Sequence, residues 1–303
     1  MDGVLVVDKP AGPTSHDVVD RARRALGERR IGHTGTLDPF ATGVLPLCVG
    51  KATRLSRFLS ADEKTYRATV RLGFATTTDD LTGEPLSTPR RVAVDGGAVR
   101  LALSALVGCF DQVPPAFSAR HVGGRRAYEL ARRGFGVPRV ATPVTVHAIE
   151  LVGLQDDRID IEVRCSAGTY VRALARDLGE RLQAGGHLTA LRRTRSGPFD
   201  LSQAVALDAL DGGAAARVLP LEALLTQMPA VRVPASSRQL VRNGRDLAPG
   251  DVLEGFPAQP VERVRLLDEA GRLIALATPQ GLEPSAGELP RFPALHPDVV
   301  LLD

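Results

Sequence analysis

Residues 32–50 read GHTGTLDPFATGVLPLCVG, and the reading of this stretch decides the fold. Its first ten residues hold two glycines, two threonines, a histidine, a proline and a single carboxylate, Asp38. That is too rich in turn formers for a regular element, while VLPLCV at its far end is apolar enough to pack the turn onto a core. Gly35 and Gly43 permit close backbone approach to a ligand. Asp before Pro is also a routine turn initiator, its side chain bonding the backbone two residues on. A lone carboxylate without a partner acid does not suit two-carboxylate glycoside hydrolysis. It suits a nucleophile or a single general base. Gly50-Lys51 makes no phosphate loop, because Leu45 stands at the first glycine position and Ala52 at the Ser/Thr position.

Working outward, GVLVVDKPAGPTSHDVVDRARRALG (residues 3–27) reads strand, turn, helix. Thr14 and Asp17 form a capping box, Val18, Val19, Ala22 and Leu26 recur at helical spacing, and Gly27 stands at the C-cap. KATRLSRFLS is a short helix. TYRATVRLG alternates, with Tyr66, Ala68, Val70 and Leu72 on one face, which marks a half-buried strand. Residues 76–98 are loop, and VRLALSALVGCF has helical spacing. Segment 113–140 is a long excursion with a helix at 125–133. Strands 144–154 and 158–165 form a hairpin, and SAGTYVRALARDLGERLQAGG returns to helix, with Val171, Leu174, Leu178 and Leu182 apolar. Beyond a small-residue connection at 210–230, AVRVP, VRLLD and LIALAT alternate with turn signals in the rhythm of a small β-barrel.

The 303 residues accommodate one large domain plus a small one. Fold class is α+β, a mixed, largely antiparallel sheet over residues 1–228 with an insertion at about 113–140, followed by a barrel over 229–303. No stretch approaches the roughly 18–20 apolar residues of a membrane helix, and no signal peptide is read, because Asp8, Lys9 and Pro10 follow GVLVV at once. This implies a cytoplasmic protein. Cys48, Cys109 and Cys165 fit no metal spacing and are read as buried free thiols. No metal and no cofactor are expected. Net charge is only +3, yet segment 113–140 carries six arginines against one acid, Glu129. Lys9, Lys51 and Lys64 are the only lysines, leaving 35 of the 38 cations as arginine, whose planar fork suits phosphates and bases. A polyanion partner follows.

Several runs share one resemblance. GHTGTLDPFATGVLPLCVGKATRLSRFL resembles the catalytic motif of the TruB family of tRNA pseudouridine-55 synthases. VDKPAGPTSHDVV resembles that family's N-terminal Lys-Pro motif, and KTYRATVRLG its strand with an active-site tyrosine. PPAFSARHVGGRRAYELARRG is similar to its RNA-binding insertion, VRCSAGTYVRALARDLG to its arginine-bearing motif, and LTALRRTRSGPFDLSQAV to the segment closing the domain. Together they span residues 3–205 in family order. The last seventy-odd residues resemble, more loosely, a PUA-type RNA-binding domain.

The resemblance implies catalytic roles for Asp38, for Tyr66, stacking on the target base and handling the C5 proton, and for Arg172, pairing with Asp38. It implies substrate contacts for His33, Tyr170, Leu191, Lys9, Asp80, Arg125 and Arg126. The implied reaction isomerises uridine 55 of the tRNA T-arm stem-loop by base flipping, through cleavage of N1–C1′ and reattachment at C5, without a cofactor and by a monomer. An arginine beside Asp38 implies a depressed carboxyl pKa. The insertion is expected to order over the T-arm. Phe117, His121 and Thr77 depart from the usual Tyr, Lys and Asp of the family. The alternative is a non-catalytic tRNA-binding or folding module, which leaves the coexistence of Asp38, Tyr66 and Arg172 unexplained. An NTP-dependent RNA enzyme fails on the missing phosphate loop.

Overall fold

The computed structural model describes residues 1–116, 121–122, 125–126, 140–259, 261–282 and 291–302. It runs β1 (Gly3–Lys9), α1 (Ser15–Leu26), β2 (Ile31–His33), β3 (Thr42–Val49), α2 (Ser56–Ser60) and β4 (Lys64–Leu72). Then follow α3 (Gly96–Ser104), β5 (Gly108–Gln112), β6 (His121–Val122), β7 (Arg125–Arg126), β8 (Thr142–Gln155), β9 (Arg158–Cys165), α4 (Val171–Arg181) and β10 (Gly186–Ser196). The remainder is β11 (Phe199–Asp200), β12 (Val205–Ala206), β13 (Leu219–Pro220), β14 (Ala230–Arg232), α5 (Arg238–Arg242), β15 (Val264–Leu267), β16 (Leu273–Leu282) and β17 (Arg291–Val300).

One large sheet runs β12-β1-β3-β10-β4-β9-β8-β5, with β2, β11 and β13 added at β3, β10 and β1. Only β1/β12 and β3/β10 pair parallel, so the sheet is mixed and mostly antiparallel, as expected. The unbroken apolar runs of β1 and β3 follow from burial on both faces. Leu5, Val7, Leu45 and Leu47 face the helix-covered core, while Val4, Val6, Val44 and Cys48 face a second one. In β4 the period-2 pattern holds along the whole strand, with Tyr66, Ala68, Val70 and Leu72 buried. The β8/β9 hairpin turns at Asp156, whose φ is 54°. Helix α1 begins as read: Thr14 Oγ1 accepts from Asp17 N–H at 3.1 Å, and Asp17 Oδ2 accepts from Thr14 N–H at 2.8 Å.

Three local readings change. The helical spacing of VRLALSALVGCF ends at Ser104, and Cys109–Phe110 belong to β5, because pairing with β8 overrides the local periodicity. Arg125–Arg126 form a strand with His121–Val122 where a helix was expected to start. Residues 127–139, the side chains of Arg125, Arg126 and His121, and Phe117 lie outside the described residues. So does the expectation that the insertion orders over RNA. Cys48 and Cys165 are buried, their thiols pushed up to about 12 and about 11 by burial, but Cys109 is exposed on the edge strand.

In the C-terminal part, β14-β15-β16-β17 form an open four-stranded sheet among the described residues, not a closed barrel. Leu273, Leu276, Val299 and Leu301 pack with Val4, Val6, Leu55 and Leu59, so this sheet covers the large sheet's second face. Across the same seam the Phe58 ring lies between the Arg57 and Arg263 guanidinium groups, 4.6 and 4.8 Å away. Among the described residues no helix is long and apolar enough to cross a membrane.

Candidate active site

The turn carrying Asp38 is fixed from three sides before its own side chain is considered. Ser15 Oγ donates to the Leu37 carbonyl at 3.1 Å and accepts the Leu37 N–H at 2.9 Å. Asp38 C=O accepts from Ala41 N–H at 3.0 Å, closing a tight turn through Pro39. Lys9, 0 % exposed at the end of β1, donates from Nζ to the carbonyls of Pro10 (2.9 Å), Pro39 (3.1 Å) and Ala41 (2.7 Å). Its ammonium is engaged by the loop backbone and ties the turn to the end of β1. Lys9 is a positioning residue beneath Asp38. Burial draws its pKa down to about 8, with the Asp38 charge opposing.

One of the two glycines also has a packing role. A Cβ on Gly43, whose φ is 103°, would lie 2.1 Å from the Arg193 carbonyl, so glycine is required for β3 to meet β10. The atom nearest a Cβ on Gly35 is Arg193 Nη1, at 3.4 Å. Gly43 thus makes room for the Arg193 backbone, while Gly35 lies on the cavity wall.

The Asp38 side chain faces the first turn of α4. Arg172 Nε lies 2.9 Å from Asp38 Oδ2 and Nη2 donates to Oδ1 at 3.1 Å, a two-point grip that fixes the carboxylate plane. Arg172 Nη1 donates to Thr78 C=O at 3.1 Å and reaches Asp80 Oδ2 at 3.3 Å. Asp80 is held in turn: its Oδ1 accepts from Thr78 Oγ1 (2.6 Å), Thr82 N–H (2.9 Å) and Thr82 Oγ1 (2.6 Å). The side chains of Arg172 and Asp80 are only 6 % and 5 % exposed, whereas Asp38 keeps 32 %. Asp80 therefore stands behind Arg172, which lies between it and Asp38.

Burial raises the Asp38 carboxyl above the ordinary aspartate value. Arg172 pulls it down and Asp80 pushes it up. The depressed value expected from the arginine alone is thus reversed, because burial outweighs the guanidinium and the Asp80 charge adds to it.

Asp38 opens onto a cavity of about 350 Å³ walled by Tyr66, Tyr170 and Leu191. Ligand clefts span roughly 300–1,000 Å³, so this one takes a nucleotide, not a helical arm. Tyr66 projects from β4, and burial raises its hydroxyl pKa, keeping it a neutral phenol. Tyr170 caps α4, with its N–H and C=O clamped by the Gln112 side-chain amide at 2.8 and 3.1 Å. His33 is not on the wall; it immediately precedes the wall residue Thr34, its Nδ1 accepting from Gly35 N–H at 3.3 Å. Lys64 and Arg193, unassigned by sequence reasoning, also line the cavity. Period-2 extension of the β4 pattern from Tyr66 back to Lys64 was the available signal for the first.

Asp38 is the one acid among the described wall residues. A single gripped carboxylate at a cavity walled by two tyrosines and a leucine is the equipment of an enzyme with one nucleophile or one general base and no second acid. The comparisons take the class further. Residues 23–171 match the TruB family pseudouridylate synthase (N terminal domain), and residues 172–226 the tRNA pseudouridylate synthase B C-terminal domain. A tRNA pseudouridine synthase B of Thermobifida fusca is 51 % identical over 285 residues, covering 91 % of this chain and 94 % of its own length. That of Mycobacterium ulcerans is 47 % identical over 283 residues, covering 92 % and 91 %. An H/ACA RNP structure with a substrate RNA containing 2′-deoxyuridine contains a chain matching at TM-score 0.73 and 25 % identity, over 99 % of this chain and 85 % of that one.

The chain belongs to the TruB family of pseudouridylate synthases. It is an isomerase that converts uridine in tRNA to pseudouridine, and the purely RNA-binding alternative is not favoured.

Proposed function

We propose that this chain modifies uridine 55 of the tRNA T loop, with Asp38 as the one essential carboxylate. The observation carrying this reading is the two-point Arg172–Asp38 grip at the mouth of a cavity sized for a single nucleotide. A stacked uridine cannot reach Asp38, so the base flips out and enters between Tyr66, Tyr170 and Leu191, at a cost of a few kcal/mol. Arginines of segment 113–140, Arg125 and Arg126 among them, offset that cost through phosphate contacts on the T-arm. His33, at the rim, meets the nucleotides displaced with the target.

Within the slot the ribose C1′ lies against Asp38. Its carboxylate either bonds C1′ or removes a C2′ proton as N1–C1′ breaks. The uracil turns, C5 bonds C1′, and the C5 proton leaves. Tyr66 as a neutral phenol stacks on the base and relays that proton. The enzyme works as a cytoplasmic monomer of two units, 1–228 and 229–303, the second a PUA-like RNA-binding domain. A full-length tRNA transcript treated with the enzyme, then with a carbodiimide and primer extension, is expected to show modification at position 55 alone. Modification elsewhere with 55 untouched would overturn the assignment.

The pH dependence has a defined sign. Asp38 must be ionised to act, and its pKa is raised, so activity falls as pH drops through a value above the ordinary aspartate range. Asp80 contributes to the raise. Asp80→Asn removes a like charge and frees Arg172 for Asp38, so the acid limb of single-turnover activity is expected to move to lower pH. An upward move would show that Asp80 does not act on Asp38 by charge.

A further inference from the structure

Two buried cations of the cavity wall take no part in the Asp38–Arg172–Asp80 network. Lys64 is two residues before Tyr66 on β4 and so shares its face. Arg193 is the direct cross-strand neighbour of Tyr66 on β10, and its charge opposes the burial that raises the Tyr66 hydroxyl pKa. Their relative exposures are 6 % and 1 %. Lys64 Nζ donates to the carbonyls of Ser60 and Asp62, Arg193 Nε to Val44 C=O at 2.7 Å, and Arg193 Nη2 to Gly35 C=O at 3.1 Å. All four acceptors are neutral, and among the described residues neither cation joins a carboxylate in an ion pair. Burying a cation is unfavourable, and burial draws Lys64 down to about 8, with the Arg193 charge adding to the fall and the Asp62 charge opposing it. Among the described wall residues, Lys64, Arg172 and Arg193 face one acid, Asp38, while Asp80 stands behind Arg172 and Asp62 acts on Lys64 from outside the wall.

An excess of buried positive charge is complementary to an anion, and the reaction makes one. The phosphates of a flipped nucleotide are tied to the rest of the RNA and stay at the cavity mouth; only the base reaches these side chains. When N1–C1′ breaks, its electron pair leaves with the base, giving a uracilate whose charge spreads over N1, O2 and O4. C1′ is satisfied by a bond to an Asp38 oxygen, or by loss of the C2′ proton to Asp38. The C5–C1′ bond then forms as the Asp38–C1′ bond breaks or the C2′ proton returns from Asp38. The C5 proton leaves and N1 takes up a proton, so the product is an isomer with nothing consumed.

We propose that Lys64 and Arg193 are further catalytic residues, which stabilise the uracilate released at glycosidic cleavage and hold it while it turns. The interaction strengthens as charge develops, so it lowers the barrier more than it tightens binding. The inference rests on the reading that the flipped uridine occupies this cavity.

The test varies the leaving group. Fluorine at C5 makes the uracil a better anion and reduces its need for positive charge. Single-turnover loss of the target N-glycoside is measured in a T-arm stem-loop carrying uridine or 5-fluorouridine, with products resolved by nuclease digestion and mass. Lys64→Gln keeps hydrogen-bond donors for Ser60 and Asp62 but removes the charge. It is expected to slow the uridine reaction about 100-fold, with a penalty at least about tenfold smaller for 5-fluorouridine, unchanged stem-loop Kd, and recovery of most activity in Lys64→Arg. Arg193→Gln is expected to show the same dependence on the leaving group.

Equal penalties on both substrates overturn the proposal and make these residues structural. A loss confined to Kd, or an equal loss in Lys64→Arg, does the same. Asp38→Asn run alongside separates the two readings. If it is inactive while Lys64→Gln shows equal penalties, the cavity assignment stands and the leaving-group role falls. If it converts uridine, the cavity assignment falls and takes this proposal with it.

Discussion

Asp38→Asn is expected to abolish conversion, by about 10⁴-fold or more, while the protein stays folded and binds RNA as before. Asparagine keeps the shape of the side chain and one acceptor for Arg172, but it neither attacks C1′ nor takes a proton. The folded-state consequence has a clear direction. Burial raises the Asp38 pKa, so the fold disfavours the ionised form, and at neutral pH the charge is a liability to stability. Removing it leaves Arg172 facing Asp80 alone, one charge against one. The melting temperature at pH 7 is therefore expected to stay level or rise, and that gain is expected to vanish as pH falls and wild-type Asp38 becomes protonated. Tritium release from C5-tritiated uridine in a T-arm stem-loop, measured beside the melting curve, checks both halves. Release by the variant would remove Asp38 from the chemistry. Lost binding would make Asp38 a contact residue.

The part of this site that sequence makes visible is the part governed by local rules or long motifs. Tyr66 sits where strict alternation puts it, and α1 begins where Thr14 and Asp17 say it should. Arg172 and Asp38 are 134 positions apart, and no periodicity joins them; their pairing was legible only through a family resemblance spanning both. Arg193 was hidden for a definable reason. The β10/β4 register shifts between Leu188 and Ala190 and again between Arg193 and Arg195, so period-2 counting along β10 fails there. Lys9 was legible as a special position but not as a buried one, because two of its three carbonyl partners, Pro39 and Ala41, come from a segment about thirty residues on. Asp80, though held by its neighbours Thr78 and Thr82, is buried by its pairing with the distant Arg172. The Asp38 pKa was misjudged because the arginine was visible, while the depth of burial that outweighs it, and the Asp80 charge that adds to it, were not.

Arg172 pairs with both Asp38 and Asp80, which makes it the substitution with the largest combined effect. Arg172→Met leaves Asp80 buried with no cation, since its remaining partners are the neutral donors of Thr78 and Thr82. Breaking a buried pair from one side costs about 3–5 kcal/mol, which for a chain of this size lowers the melting temperature by on the order of 10 °C. Most of that loss resides at Asp80, because Asp38 keeps solvent contact and its charge is partly screened. Activity is expected to fall about 100-fold or more, as Asp38 loses its two-point grip and its pKa rises further. Lysine at 172 is no substitute, having a point charge in place of a fork. The double variant Arg172→Met with Asp80→Asn separates the two effects. Asparagine at 80 still accepts from Thr78 and Thr82 without a buried charge, so the melting temperature is expected to recover most of its loss. Activity is expected to stay low, because nothing then aims Asp38. Recovered activity in the double variant would mean that Arg172 serves only to neutralise Asp80. An unchanged melting temperature in Arg172→Met would mean that water reaches Asp80 and the shared pair is not a buried one.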